Sequence, residues 1–353
     1  MTSSVSLYLT RMTGVPTPTV PLRDLRVIDE AGAHLIATGT STPTDGARFN
    51  EGDPVILNWG RKRSVFSSVM YVHRVSDVGS VTASDPVYEF VLVGSSWPLK
   101  SSNQRALSNT NARRILGEIA LSHNLSFDFS ATNRNFDLFV SRESDWVGLR
   151  DLAHRVGGLL RVDGTTIRII DMNAGLNDLV RAPVYRPRDL PAQNVTVTRR
   201  QQDKGRREVA VVNPVTLQVE NINDSLRNES DVLLLKDSPS IALGSVSEAQ
   251  QDLRSQRLSD RFREEATVTG MSSDPRLRPG TVVGMRGMTP VKNGYWTVTK
   301  ADHRLTKDAI FSDLYLGRSS DHPRATLDRP PLFHGQMASS SSPVLRRDRW
   351  VAG

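Results

Sequence analysis

The chain has no cysteine among its 353 residues. Disulfide staples and thiolate nucleophiles are excluded outright, and with them every metal site that depends on cysteine sulfur. Long apolar runs are missing too. No segment approaches the roughly 20 apolar residues that span a bilayer, and the opening MTSSVSLYLTRMTG lacks a basic stretch followed by an apolar one. The expectation is a soluble protein, assembled in the cytoplasm, with no membrane insertion. Asn124, Asn194, Asn223 and Asn228 head Asn-x-Ser/Thr triplets, which without a secretory route are chance occurrences.

Signatures of chemistry are equally scarce. There is no Gly-x-Ser-x-Gly elbow, no Walker loop and no Gly-x-Gly-x-x-Gly after a strand. His34, His73, His123, His154, His303, His322 and His334 stand singly, so no helix face offers two imidazoles to a metal. His154 reads as a surface or satisfied histidine. Glu143 and Asp145 could be a hydrolytic pair, since glycosidases need two carboxylates about 5–10 Å apart. Their place at a helix start accounts for them better. Trp146 could be a sugar platform, but it falls on an apolar stripe, where burying its ring contributes on the order of 2–3 kcal/mol. No catalytic residue, metal ligand or cofactor is assigned.

What the chain does have is length for two or three domains and a formal net charge of +7. The excess is local: Arg199 to Arg207 holds five basic residues against Asp203, and residues 321–353 hold five arginines against three aspartates. A phosphate-tracking groove needs basic side chains along one face, with aromatics for stacking. One loop and one tail read instead as solvated charge.

The most informative stretch is 143–171. Trp146, Leu149, Ala153 and Val156, with Leu152 alongside, make one apolar helix face, and Asp145, Arg150, Asp151 and Arg155 fall opposite. Ser144 can cap this helix, expected over 145–156, and Gly157-Gly158 can supply a left-handed exit. Leu159 to Val162 and Thr165 to Ile170 then form a hairpin, 159–170, around Asp163-Gly164, a pair suited to a type I′ turn.

Residues 1–98 read as strands at Val5 to Thr10, Leu22 to Asp29, His34 to Thr38, Val55 to Trp59, Val65 to Val75 and Val87 to Leu92, which implies a small sandwich or barrel. Turns such as Glu30-Ala31-Gly32 and Thr44-Asp45-Gly46 separate them. Residues 99–190 form a mixed unit, with a helix over 111–123 capped by Thr110 and closed by a left-handed Asn124, and short strands at Leu125 to Phe129 and Asp137 to Ser141. The proline-rich 181–191 reads as an extended connection. In 191–318, Val195 to Arg200 and Arg207 to Val212 are expected as a hairpin with the basic run at its tip. A charged helix over 247–265 with Ala249, Leu253, Leu258 and Phe262 as its stripe comes next, then strands at Thr267 to Gly270, Val282 to Arg286, Gly294 to His303 and Ile310 to Gly317. Residues 319–353 are a Pro/Ser/Arg-rich tail whose ordering would need a partner. Glu51-Gly52-Asp53-Pro54-Val55 is echoed by Arg278-Pro279-Gly280-Thr281-Val282, a short hint of one plan used twice.

The segments GSSWPLKSSNQRALSNTNARRILGEIALSHNLSF, SRESDWVGLRDLAHRVGGLLRVDGTTIRIID and LRPGTVVGMRG…NGYWTVTKADHRL…FSDLYLGR, in this order and over about half the chain, resemble the phage tail hub family, the contractile-phage baseplate hubs and late-control proteins. The resemblance implies an α+β, mainly β protein in which two tail-tube-like barrels flank a small mixed domain. It implies a homotrimer forming a six-barrel ring in the virion tail tip, between a threefold tip and a sixfold tube. Expected partners are the distal tail protein, the tail tube protein, the tape measure protein and other minor tip proteins, with DNA passing only in transit. No lysin region follows residue 320, so the expected role is structural and not enzymatic. The alternatives are a cell-wall-degrading or carbohydrate-binding tip protein and a nonspecific nucleic-acid binder. The sequence leaves open whether the first barrel is completed by a strand from the second half.

Overall fold

The computed structural model describes residues 5–318 except 13–18, 42–48, 62–63, 78–86, 102, 142, 173–174, 177–178, 180, 187–188, 190–193, 200–207, 213–218, 224–239, 244–263 and 273–274. The expected helix over 247–265 lies outside the described residues as far as 263, and its last two residues, Glu264 and Glu265, open a strand instead. The turn at Thr44-Asp45-Gly46, the 319–353 tail and nearly all of the basic run also lie outside the described residues.

The first six strands are β1 (Val5–Arg11), β2 (Thr19–Glu30), β3 (Ile36–Ser41), β4 (Pro54–Arg61), β5 (Ser64–Asp77) and β6 (Tyr88–Gly94). They hydrogen-bond in the order β1-β4-β5-β6-β3-β2, and β1 pairs with β2 to close a barrel. Alternation drives this: Leu7, Leu9, Val55, Leu57, Val72 and Leu92 point inward and are buried. In β2 the inward phase slips from Leu22 to Leu25, and a bulge between Leu22 and Asp24 absorbs the extra residue so that both reach the core.

The mixed unit contains β7 (Arg105–Asn111), α1 (Ala112–Ser122), β8 (Ser126–Phe129), β9 (Asn135–Ser141), α2 (Asp145–Arg155), β10 (Gly158–Asp163) and β11 (Thr166–Asp171). Strand β7 pairs with β9, while β10 and β8 flank β11. The cap of α1 is Asn111, whose side chain accepts from the Arg114 N–H, rather than Thr110; the strand conformation of β7 runs through Thr110. Ser144 caps α2 and Gly157 takes the left-handed exit at φ 66°, as the sequence predicts. Asn124 is left-handed as expected, at φ 56°. The hairpin turn falls one residue later than expected, on Gly164-Thr165, with Asp163 paired to Thr166. Gly164 alone has positive φ there, 57°, so the left-handed demand sits at the first turn position, where glycine meets it without strain.

The last strands are β12 (Val184–Tyr185), β13 (Val195–Arg199), β14 (Glu208–Val212), β15 (Val219–Asn223), β16 (Ser240–Leu243), β17 (Glu264–Ser272), β18 (Val282–Met285), β19 (Gly294–Thr306) and β20 (Ile310–Arg318). Two expectations are corrected. The connection 181–191 is not free of structure, because β12 pairs in parallel with β18. Strands β13 and β14 do not form a hairpin: β13 pairs with β17, and β14 pairs with β15 and β16. The partner of β13 is fixed by packing, since Val195 and Val197, opposite Val268 and Ala266, complete an apolar core with Trp296 and Leu316.

Six of these strands run β12-β18-β19-β20-β17-β13. In chain order this is first, fourth, fifth, sixth, third, second, the spatial order of the first barrel. Among the described residues no pairing joins β13 to β12, and β12 runs parallel to its neighbour where β1 runs antiparallel. The echoed turns match in detail. Gly52 and Gly280 have φ 86° and 87°. Asp53 N–H donates to Asn50 O and Thr281 N–H to Arg278 O, while Gly52 N–H reaches Val72 O and Gly280 N–H reaches Val298 O.

The two sets meet where Asp24–Glu30 of β2 pair with Lys300–Thr306 of β19. Arg26 grips Asp302 with Nε at 2.9 Å and Nη2 at 2.6 Å, and Lys300 Nζ lies 2.8 Å from Glu30. Leu305 and Ile310 enter the first core, and Val5 N–H donates to Lys307 O. Residues of the second half thus help complete the first barrel.

Deep in the second set, Arg318 is 1% exposed. It donates to Glu264, Asn293 O and Val291 O and lies 4.0 Å above the Trp296 ring. Removing one partner of a buried ion pair strands the other charge. Arg318→Met is expected to lower unfolding free energy by about 3–5 kcal/mol, read as a shift in the urea midpoint. Arg114→Ala, which breaks only the exposed pair with Glu118, should cost roughly 0.5 kcal/mol or less.

Candidate functional site at the junction of the three units

The turn at 278–281 sets one type II-like corner of the second set, and its side chains reach both other units. Gly280 is obligatory on two counts: its φ is 87°, and a Cβ there would come within 2.4 Å of Ile170 Cδ1 in the hairpin. Arg278 Nε donates to Asp29 of β2 at 2.6 Å, Nη1 lies 2.6 Å from Asp163 at the end of β10, and Nη2 reaches Val162 O at 3.2 Å. Arg161 joins Asp163 at 2.7 Å and donates to Pro279 O at 2.6 Å. Arg168 links Asp163 to Asp128 on β8. Barrel, mixed unit and second set are therefore tied at one guanidinium.

The electrostatics show how tightly this is packed. Burial pushes the Asp29 carboxyl above its ordinary range, and the charge and hydrogen bond of Arg278 oppose that only in part. Burial also works to lower the pKa of Arg278, but Asp29 and Asp163 outweigh it and raise the value. Such a cluster contributes specific orientation more than stability, because desolvation consumes much of the attraction.

Beside it runs an aromatic stack. His34, which is 7% exposed, lies face to face with Trp146 at 4.1 Å and meets the edge of Trp97 at 5.5 Å. Ser96 Oγ holds its Nδ1 at 2.8 Å. Trp97 also packs on His73 of β5 and takes Lys100 Nζ at 3.9 Å over its ring. Burial, with Lys100 and Arg150 nearby, lowers the pKa of His34 to about 4. Backbone bonds complete the seam: Gly32 N–H to Leu160 O at 2.8 Å, and Ser95 Oγ to Gly164 O.

The residues weighed from sequence fall in different places. Asp145 is fully buried, contrary to its expected place on the solvent face of α2. It accepts from Arg105 at 2.6 and 2.9 Å, from Asn103 at 2.9 Å, and pairs with His123 at 2.7 Å. Burial alone would raise its pKa, but these partners hold it below the usual carboxylate range. It cannot donate a proton near neutrality. Glu143 is exposed, so the two carboxylates do not confront one another across a cleft. Trp146 is 4% exposed and committed to His34, which leaves no face for a sugar. His154 is exposed on α2 and His303 is buried between Ser312 and Leu277 O. Among the described residues no group of three His, Asp or Glu side chains is placed to hold a metal, and no helix is long and apolar enough to cross a membrane. Arg278, Asp29 and His34 were invisible as a set, although the Arg278–Val282 echo marks the turn that brings them together.

Solved structures with this fold include tail proteins and a type VI secretion component. A tail protein from Neisseria meningitidis superposes with a TM-score of 0.64 at 10% identity, over 89% of this chain and 96% of that one. The 43 kDa tail protein of a Shewanella oneidensis prophage gives 0.57 at 12% identity, over 88% and 98%. An E. coli component of the type VI secretion system, itself described as similar to T4 bacteriophage tail proteins, gives 0.56 at 13% identity, over 94% and 81%. No family model and no curated protein matches the sequence. The chain has the fold of these tail and secretion-system proteins over 88–94% of its length.

Arg278→Met is expected to cost about 3–5 kcal/mol. Combined with Asp29→Asn it should cost less than the sum of the single changes, with a coupling of about 0.5–3 kcal/mol in a double-mutant cycle. For His34 the sign is clear. The folded protein keeps the ring neutral down to about pH 4, whereas an unfolded chain protonates it near 6.5, so stability falls as pH drops across that window. Urea midpoints measured between pH 7 and 4 should fall less steeply for His34→Phe than for the wild type.

Proposed function

We propose that this chain is the hub of a phage-type tail tip, a structural ring component rather than an enzyme. Three copies would close into an annulus in which the two strand sets of each chain alternate, so that a threefold assembly presents a near-sixfold rim to the tail tube. The observation that supports this most is the repeated strand order, β1-β4-β5-β6-β3-β2 and β12-β18-β19-β20-β17-β13, with the two sets fused side by side through β2 and β19. Closed rotational symmetry needs such a two-ended unit, because a heterologous contact that closes makes a ring. The tail proteins that share the fold support the same reading.

In this reading the distal tail protein and the tail tube stack on the ring, other tip proteins attach below, and tape measure protein and DNA pass through the bore. The particle forms in the host cytoplasm and the chain resides in the virion. The division into a first barrel over 1–98, a mixed domain over 99–190 and a second barrel over 191–318 belongs to this proposal, as does the tail over 319–353 that a neighbour would order. The mixed unit is the appended element, and the junction at Arg278 sets its angle. The buried, triply bonded Asp145 speaks against a wall-degrading role.

Purified protein should sediment as a trimer and show annular particles with six lobes in negative stain, and the chain should appear in the protein inventory of purified virions. A species that stays monomeric in light scattering at high concentration would sink the reading.

A further inference from the structure

We propose that the ring closes through the outer wall of β1, β4 and β5, which receives the outer wall of β13 and β17 of a second copy of this chain. This rests on the ring reading above and names its contact surfaces. The wall consists of the residues that alternate with the buried ones. Tyr8, Ile56, Ser67, Val69 and Tyr71 stand there in paired register across the three strands, with Asn58, itself buried, accepting from Ser67. The outward positions of these strands up to Tyr71 hold no charged residue. Val65, on the same wall, is 40% exposed.

An uncharged outer face is unusual for a sheet in water, where polar and charged residues ordinarily alternate with the core. This molecule supplies its own contrast. On the side of the barrel where β2 meets β19, the outward residues are Arg26, Glu30, Lys300, Asp302, Arg304 and Asp313. Strand β5 lies three strands from β2 whichever way the barrel is followed. The charged face thus marks the middle of the two-set unit. The outward positions of β3, Ile36, Thr38 and Thr40, are uncharged as well, and among the strands of the uncharged wall β5 lies farthest from the seam.

The opposite end matches. Thr196 and Thr198 on β13 are exposed, their register partners Thr267 and Glu265 face the same way on β17, and Tyr315 of β20 sits beside Thr267 at 42% exposure. Glu265 is the one charge among them. Charge depletion with aromatic enrichment is the signature of an interface core rather than of bulk surface. Two such ends on a side-by-side unit are what head-to-tail closure requires.

The test uses the full chain and sedimentation over a concentration series. Val65→Glu with Ser67→Glu should weaken self-association at least about tenfold, one unit of 1.4 kcal/mol, with circular dichroism and monomer melting unchanged. Adding Thr198→Arg should restore part of the loss, and Thr38→Glu, away from both walls, should leave association intact. A wild-type trimer that survives the double glutamate overturns the wall assignment while the ring stands. Failure of Thr198→Arg to restore any association overturns the choice of opposing surface. Disruption by Thr38→Glu to the same degree overturns the specificity of the wall. A wild type that never associates overturns the ring and this inference together.

Discussion

Strand β2 is the constraint on which the architecture depends. Its first residues, Thr19 to Pro21, close the barrel against β1, and Asp24 to Glu30 pair with β19. One edge of this strand therefore serves β1 and then β19 within a continuous sheet, and the bulge after Leu22 lets it change phase between them. Were β2 to stop where the barrel closes, the second set would be joined only by loops and by the mixed unit. A shared strand is stiffer than any loop, because its register is fixed residue by residue, and a one-residue slip would turn Arg26 into the core and Leu25 out.

That stiffness explains why the junction is built of charge and aromatic faces. The mixed unit has its own apolar core and needs none from the barrel. What it needs is a fixed angle, and non-directional burial supplies that poorly. A guanidinium is planar and its donors are directional. Arg278 uses them on Asp29, Asp163 and Val162 O, so a rotation of the mixed unit breaks several bonds at once. The stacked His34 and Trp146 add a second planar constraint.

Much of the local structure was legible in the sequence, for a physical reason. The barrel strands alternate with period two because one face meets a core, and α2 shows its stripe because Leu149, Leu152 and Ala153 fill the mixed unit. What escaped was long-range. Val195 to Arg199 was readable as a strand, but its partner β17 lies beyond a stretch whose own strands compete for it, and sequence proximity favoured β14. Asp145 sat among charged residues on a helix wheel, and Arg105, Asn103 and His123, 22 to 42 residues earlier, make its burial tolerable. Asp29 and Arg278 are separated by 249 positions, so no local pattern could join them. Periodicity reports which face of an element is apolar, never which charge a distant turn will deliver to it.

The echo between residues 50–53 and 278–281 shows how a small signal can report a large repeat. A backbone turned at φ near 87° admits glycine with little competition, so the glycine persists where the surrounding side chains diverge. In the first set, open space surrounds Gly52; in the second, Gly280 abuts Ile170. The same turn was free in one copy to be solvent-facing and in the other became the socket for the mixed unit, with Arg278 in the place that Asn50 holds. The two sets thus differ at this corner, at the seam with β2, and at β12, which runs parallel to β18 and, among the described residues, does not close on β13. They still share one strand order, so the repeat is carried by topology and by hydrogen-bonded turns rather than by side chains.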